Sequence, residues 1–416
     1  MIRILDSQDV GRLLARRAAR LDEAERVVRP ILEDVRRRGD RALLEYARRF
    51  DGFARADVRV AERDLAAAQK KLAPAFRRAV RTAAGNIRSF ARRQMPRAWT
   101  DRQLGLRVGQ IVRPLDTVAA YIPAGRYPLP STLLMTVIPA QVAGVPAILI
   151  ASPKPVTEVL GTAALLGVEH VFEMGGAQAI AAFAYGTRTV PRADRIVGPG
   201  NIYVAAAKKL LAGEVGIDFV AGPTEILIVA AQGDARHLAA DMLAQAEHDV
   251  DASAVLLTTS KRLAGAVVRE VDRQLATLPT AAVARQSIAR NSAVVLVASL
   301  DEAVELSNRF APEHLSIPDA ALLPGIRHAG SVFVGPYSPE AAGDYAAGPN
   351  HVLPTGGSGR FSSPLGVATF MKRQTVLALE PALAGALAPR VARLAEAEGL
   401  PHHAQSARRR TLSHHS

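Results

Sequence analysis

Cysteine is absent from all 416 residues. That excludes disulfides, thiolate nucleophiles and every Cys-based zinc site, so any metal must be held by nitrogen and oxygen side chains. Aromatic residues make up 5% of the chain, with Trp99 the single tryptophan, which leaves little surface for stacking bases. No GxGxxG occurs, so the usual dinucleotide fingerprint is missing. Long apolar runs are scarce too. The start, "MIRILDSQDVGRLLARR", has no apolar core of the signal-peptide kind. The most apolar stretch, "STLLMTVIPAQVAGVPAILIAS", is broken by Pro139, Gln141 and Pro146, which argues against a membrane span. A cytoplasmic protein without membrane contact is the expectation.

What is abundant is positive charge, unevenly placed. Residues 1–100 hold 25 Lys/Arg against 13 Asp/Glu, and the remaining 316 hold 27 against 26. A nucleic-acid-binding N-terminus is one reading. In "LDEAERVVRPILEDVRRRGDRALLEYARRF", however, the arginines interleave with acids at helical spacings, the pattern of a solvated helix face. No nucleic-acid partner is expected; a basic surface would also draw anionic cofactors.

The first hundred residues read as helices, with Asp22 and Glu25 as a capping box and Pro30 as a kink or restart. From about residue 116 the texture changes. "TVAAYIP", "PAILIAS", "HVFEM", "DRIVGPG" and "IDFVAGP" read as strands, with helices at 130–143, 155–166, 176–185 and 201–212 between them. A second series, "EILIVAA", "SAVLLTT", "AVVLVAS" and "SVFVG", follows with helices between its strands, and a helical tail runs from about 366. Strands alternating with helices imply parallel sheets covered by helices. The fold class is therefore α/β: two Rossmann-like parallel-sheet units with a helical N-terminal segment and a helical C-terminal tail.

Ligands of parallel sheets bind at the carboxyl ends of strands. The loops "YIPAGRYP", "MGGAQ", "VGPGN" and "VAGPTE" are placed at such ends, each with a hydrogen-bonding side chain: Tyr121, Gln178, Asn201 and Thr224. Glycine there lets backbone amides approach a phosphate or substrate; ordinary tight turns are the plainer reading of any one loop. In "DMLAQAEHDV", Gln245 and His248 stand three apart, about one helical turn. They could offer an amide oxygen and an imidazole nitrogen to one metal ion, or simply form a polar helix end. "FAPEHLSI" sets Glu313 beside His314, "AGDYAAGPNHVLPTGGSGRFSSP" carries Asp344 and His351, and "EAEGLPHHAQ" carries Glu398, His402 and His403. Each has a dull explanation as a surface pair or a helix-terminal histidine. Together, Gln245, His248, Asp344 and one late histidine are of the right types for an all-N/O zinc site. Gln is an uncommon ligand, which favours a site that exchanges ligands over a structural zinc. Glu313 and His314 would handle protons. His170 and His237 have no such company and are read as structural.

"VGPGNIYVAAAK", "AGPTEILIVA", "AQAEHD", "RFAPEHL" and "AGDYAAGPNHVLPTGGSGRFSSPLGV" resemble the signature segments of the histidinol dehydrogenase family, in family order and over nearly the whole chain. The resemblance implies a homodimer with shared active sites, one zinc ion per subunit and NAD, oxidising L-histidinol through the aldehyde to L-histidine, the end of histidine biosynthesis. It implies Gln245, His248, Asp344 and His403 as zinc ligands, with adjacent His402 leaving the last ambiguous. It implies Glu313 and His314 as the catalytic pair and Tyr121, Gln178 and Asn201 as NAD-binding. Thr224, His351 and Glu398 match substrate-contacting positions, and the zinc ligands and the catalytic pair would also face the substrate. The expected organisation is a helical region 1–115 completing the first α/β domain, an NAD-side α/β domain over 116–224, residues 225–365 as the first α/β domain with the zinc and catalytic segments, and a tail 366–416 exchanged between subunits.

One position departs from the pattern: Thr224 stands where many family members carry serine. The hydroxyl is kept and a methyl is added, which bears on substrate identity. A related zinc/NAD dehydrogenase of another small polar alcohol, such as a sulfonated diol, is the alternative; Glu398 and His403 favour histidinol. His314 suits the base that takes the alcohol proton, and Glu313 the base that activates water for the second oxidation. Neighbouring strand residues point to opposite faces, so both can serve one substrate only if "PEHL" is a loop or a strand end.

Overall fold

The computed structural model describes residues 2–11, 21–103, 106–124 and 128–410. The chain divides into two compact units, Met1–Gln94 with Leu115–Phe370, and Met95–Pro114 with Met371–Ser416. In chain order the strands are β1 (Arg3–Asp6), β2 (Trp99–Gln103), β3 (Leu106–Pro114), β4 (Thr117–Tyr121), β5 (Ala147–Ala151), β6 (His170–Phe172), β7 (Arg195–Val197), β8 (Gly216–Ile217), β9 (Glu225–Val229), β10 (Ser253–Thr258), β11 (Ala293–Leu296), β12 (His314–Ile317), β13 (Ser331–Val334) and β14 (Met371–Leu379).

The larger unit holds two parallel sheets. One has the order β6-β5-β4-β7-β8 and the other β1-β11-β10-β9-β12-β13. Their strands are near-continuous apolar runs because helices cover both faces. In the second sheet, Ile226, Ile228, Leu256 and Val294 pack on one side with helices Ala235–Ala246, Lys261–Leu275 and Ala281–Asn291. Leu227, Val229, Val255, Leu257, Val295 and Leu315 point the other way, toward Ala303 and Leu306 of helix Leu300–Phe310. Alternate residues thus feed two separate cores. Chain order reverses at β4/β7 in the first sheet and at β9/β12 in the second, which marks the switch points where such sheets open a crevice.

The helices at Pro130–Ala143 and Gly176–Tyr185 fall where the apolar pattern places them. Several expectations need correction. Of the segment "IDFVAGP" only Ile217 is strand, at the end of β8, so "VAGPTE" leads into the amino end of β9 instead of closing a strand. Helix Leu21–Arg38 runs through Pro30 without restarting; residues before Leu21 that would show its capping lie outside the described residues. Of the region 1–115, β1 joins the sheet of 225–365, with Val10 in that core. Ala24, Val28, Leu32 and Val35 of helix Leu21–Arg38 instead pack with Ala119, Leu149 and Ile196 of the other sheet. Several of its charges are paired, Arg38 with Asp34 and Glu45, and Arg36 with Glu214.

The smaller unit is an antiparallel sheet, β14-β3-β2, and two helices, Pro381–Ala397 and Pro401–Arg409. A strand therefore precedes the helices of the tail, and β2 and β3 interrupt the helical N-terminal region. β2 is exposed throughout and β14 nearly so, so neither has the one-sided apolar alternation by which strands are read. The two helices meet through Ala392, Ala395 and Ala404. Among the described residues, no helix is long and apolar enough to cross a membrane.

Proline inside a helix removes a hydrogen bond and crowds the preceding turn. Pro30 is exposed, so Pro30→Ala is expected to stabilise the protein by up to about 3 kcal/mol, read as a higher urea midpoint. An unchanged midpoint would show that the helix accommodates this proline without cost.

Candidate active site

Helix Leu300–Phe310 ends abruptly. Ala311 takes a left-handed φ of 49° and Pro312 follows, which forbids a further turn and swings the chain into β12. His314 is the first residue of that strand and Glu313 the residue before it. The strand-end condition for the pair is met. A side chain at position 330 would collide with the Glu313 carbonyl, and Gly330 lets β13 lie alongside, its neighbour Ser331 donating to that oxygen at 2.9 Å.

Glu313 and His314 are both buried. Glu313 Oε2 accepts from the Thr224 hydroxyl at 2.6 Å and from the Glu225 amide at 2.9 Å. Burial pushes this carboxyl above the usual range, while His314 and those two donors pull it back. Thr224 Oγ1 also lies 2.6 Å from the amide of Gln245, itself buried on the last turn of helix Ala235–Ala246. The opposite end of that amide is 3.0 Å from Glu340.

His314 Nδ1 lies 3.2 Å from the Glu225 carbonyl and Nε2 3.3 Å from Asp344 Oδ1. Both partners offer acceptor oxygens, a setting that favours the doubly protonated ring. Burial works against that charge, but Glu313, Asp344 and Glu340 outweigh it and bring the pKa up to about 10. Asp344 is correspondingly lowered: burial would raise it, and its pairing with His314 overrides that. His351 Nδ1 bonds the Asp344 carbonyl at 2.7 Å, and its Nε2 is 3.3 Å from Thr132 Oγ1 on helix Pro130–Ala143. Burial lowers its pKa. His248 sits in the turn after the helix, not on the helix itself. The residue is exposed, yet the protein around its ring is dense enough to lower its pKa, against the pull of Asp344.

Seven expected residues thus converge: Thr224, Gln245, His248, Glu313, His314, Asp344 and His351. They gather at the amino ends of β9 and β12, where the Glu225 N–H donates to the Glu313 carboxylate. Sequence reading missed two acids here. Glu340, four before Asp344, is buried and pushed up to about 8 by burial, with His314 opposing. Asp241, four before Gln245, is pushed up to about 6 by burial. The i,i+4 spacing to an expected ligand was the available signal.

Tyr121, Gln178 and Asn201 lie at the first sheet, at the carboxyl ends of β4, β6 and β7. Tyr121 and Gln178 are buried. The Tyr121 hydroxyl accepts from the Gly176 amide at 3.1 Å, and Gln178 donates to Asp51 at 3.3 Å. Asp51 in turn accepts from Gly175. Asn201 is exposed and caps helix Ile202–Leu211 by accepting from Tyr203 and Val204. Glu398, His402 and His403 belong to the smaller unit and are exposed. Glu398 ends its first helix, and the histidines open the second. Among the described residues, no three His, Asp or Glu side chains are grouped as a metal site. The expected set has only His248 and Asp344 of those types in the larger unit, Gln245 being an amide.

The whole chain has close relatives. A family profile described as histidinol dehydrogenase matches residues 14–411. A histidinol dehydrogenase of Syntrophotalea carbinolica is 46% identical over 98% of this chain and 98% of its own. One of Geobacter sulfurreducens is 45% identical over 97% and 99%. The crystal structure of histidinol dehydrogenase from Elizabethkingia anophelis superposes with a TM-score of 0.94 at 34% identity, covering 98% of both chains.

Two outcomes follow from the geometry. Thr224→Val strands the buried partners of the hydroxyl and should cost about 1–3 kcal/mol in denaturant unfolding. Thr224→Ser keeps both hydrogen bonds and should lose about 1 kcal/mol or less; equal losses would mean that the hydroxyl contributes nothing. Asp241, with its folded pKa near 6, retains a proton that the unfolded chain releases in the usual carboxylate range. Its contribution is full at pH below about 4 and is lost as pH rises through 6. Asp241→Asn, compared with wild type in chelator, should therefore gain stability above pH 6, with the gap closing toward pH 4. A gap independent of pH would assign the effect to another group.

Proposed function

Because this chain belongs to the histidinol dehydrogenase family, we propose that it oxidises L-histidinol to L-histidine through the aldehyde, with one zinc ion per subunit and two NAD consumed. The observation that carries this reading is the buried network Glu313–Thr224–Gln245, with His314 and Asp344 beside it. It joins a proton-handling pair to candidate metal ligands.

The residues fit a divalent cation. The charges acting most strongly on His314 are the carboxylates Glu313, Asp344 and Glu340, a local negative excess that a cation would balance. Burial keeps His248 toward its neutral, ligating form, and Asp344 is held ionised. Gln245, His248, Asp344 and His403 of the partner subunit would hold the zinc. The smaller unit supports the sharing: its helices bury three alanines against each other, while Leu377 and Leu394 stay 63% and 69% exposed, apolar surface of the kind a second copy covers. Tyr121 and Gln178 would build the NAD cradle by fixing the Gly175–Gly176 turn, with Asn201 at its rim. When bound, zinc supplies a fixed positive charge that orients the substrate's nitrogens, and NAD accepts the hydride.

The alcohol must lose a proton as its hydride leaves. His314 takes that proton, which requires its pairing with Asp344 to open and the ring to be neutral. The aldehyde then adds water, and Glu313 removes the proton from that water; the hydrated aldehyde loses the second hydride to give the carboxylic acid, which ionises to the carboxylate by releasing a proton to solvent. Thr224, His351 and Glu398 would contact the substrate. The amide of Glu313→Gln cannot accept a proton.

Each L-histidinol is expected to yield two NADH, with turnover abolished by prolonged chelation and restored by zinc. Glu313→Gln should slow aldehyde oxidation about 100-fold or more and alcohol oxidation less. One NADH per substrate with free aldehyde, or turnover only of another alcohol such as a sulfonated diol, would replace this reading with the related dehydrogenase. Full activity in metal-free protein would remove zinc from it.

A further inference from the structure

Far from the proton-handling pair, the first sheet buries a complete ion pair. Lys208 and Asp218 contact each other with their side chains 2% and 1% exposed. Both charges are spent on one residue. Lys208 Nζ donates to the Gly198 carbonyl at 3.0 Å, and Asp218 Oδ2 accepts from the Gly198 amide at 2.8 Å. Asp218 Oδ1 accepts from Phe219 at 2.7 Å, and the ammonium lies 5.8 Å from the Phe219 ring centroid.

Stability alone does not call for such a pair, since apolar residues of similar volume commonly serve a protein core as well or better. What the pair does is specific. Gly198 adopts a φ of 104°, and a Cβ there would overlap the Tyr121 carbonyl oxygen. The turn after β7 is thus pressed against the end of β4, at the switch point of the sheet. Three residues on, Asn201 caps helix Ile202–Leu211, and Lys208 projects from that same helix back to the turn that begins it. Asp218 reaches in from beyond β8 on the other side. Turn, helix and edge strand are locked through one glycine peptide.

We propose that Lys208 and Asp218 are positioning residues that hold the Gly198–Asn201 turn in the shape NAD requires, which rests on the reading of Tyr121, Gln178 and Asn201 as the NAD side. Both charges are buried against each other and the Gly198 peptide. Their effect is on NAD affinity, transmitted through the backbone of Gly198.

The test compares wild-type holoenzyme with Lys208→Met/Asp218→Asn, which removes both charges of the pair together. NAD dissociation constants come from calorimetry, alongside bound zinc and the thermal midpoint. NAD affinity should fall tenfold or more, with zinc content unchanged and the thermal midpoint within a few degrees of wild type. A folded double variant that binds NAD within twofold of wild type overturns the proposal. Should that variant not fold, Lys208→Gln and Lys208→Met are compared singly. Gln keeps a donor for the Gly198 carbonyl and should recover part of the affinity that Met loses; equal affinities overturn the proposal. Wild-type protein that takes up no NAD overturns the cofactor reading and this one with it, whereas NAD binding by wild type and double variant alike removes only the positioning role.

Discussion

The carboxylate of Glu313 is buried at the amino ends of two parallel strands, and the site is organised by how that burial is made tolerable. A carboxylate withdrawn from water needs donors. Here they are the Thr224 hydroxyl and the Glu225 amide, both at the start of β9. Meeting that need draws β9 and β12 into register, with His314 opposite Ile226. It leaves the Glu225 carbonyl to orient the His314 ring, and it commits Thr224 to link Glu313 with Gln245. The added methyl of Thr224 therefore leaves the bridging chemistry intact, since the hydroxyl is the part in use.

The two parallel sheets of the larger unit use opposite ends of their strands. In the first, the glycine turns after β4, β6 and β7 lie at carboxyl ends beside the β4/β7 switch point, as open α/β sheets lead one to expect. In the second, the polar cluster sits at the amino ends of β9 and β12. The Glu225 N–H there serves an anionic side chain, and helix Ala235–Ala246, which follows β9, brings Gln245 and His248 back to that same end. The link between the sheets is direct: Thr132 on helix Pro130–Ala143 meets His351, and the Asn350 side chain donates to the Met135 carbonyl at 2.7 Å.

Buried charge is used differently in the two places. Around His314 the acids outnumber the one cation, so pKa values spread apart and the ring and Glu340 move in the same upward direction. At Lys208–Asp218 the two charges meet directly, and both are bonded to the Gly198 backbone. The first arrangement is electrostatically unfinished and suits a centre that takes up a cation and moves protons. The second is closed, and suits a fixed piece of scaffold.

Much was legible in the sequence alone. Apolar runs marked β4, β5, β9, β10 and β11, the first three bounded by Gly and Pro, because a strand buried on both faces has little choice of composition. The segments around Gln245, Glu313 and Asp344 were conspicuous because acids and histidines crowd where alanine and valine otherwise prevail. Other features were not legible. β2 and β14 expose most of their residues and leave no periodic mark, so their pairing with β3 is seen only when the chain ends are brought together. Glu340 and Asp241 look like ordinary helix-surface acids until packing buries them, and Lys208 looks like a solvated lysine until Asp218 closes over it. Local composition reports which face of an element avoids water. Which distant charge arrives beside it, and therefore its protonation and its use, is decided by tertiary packing.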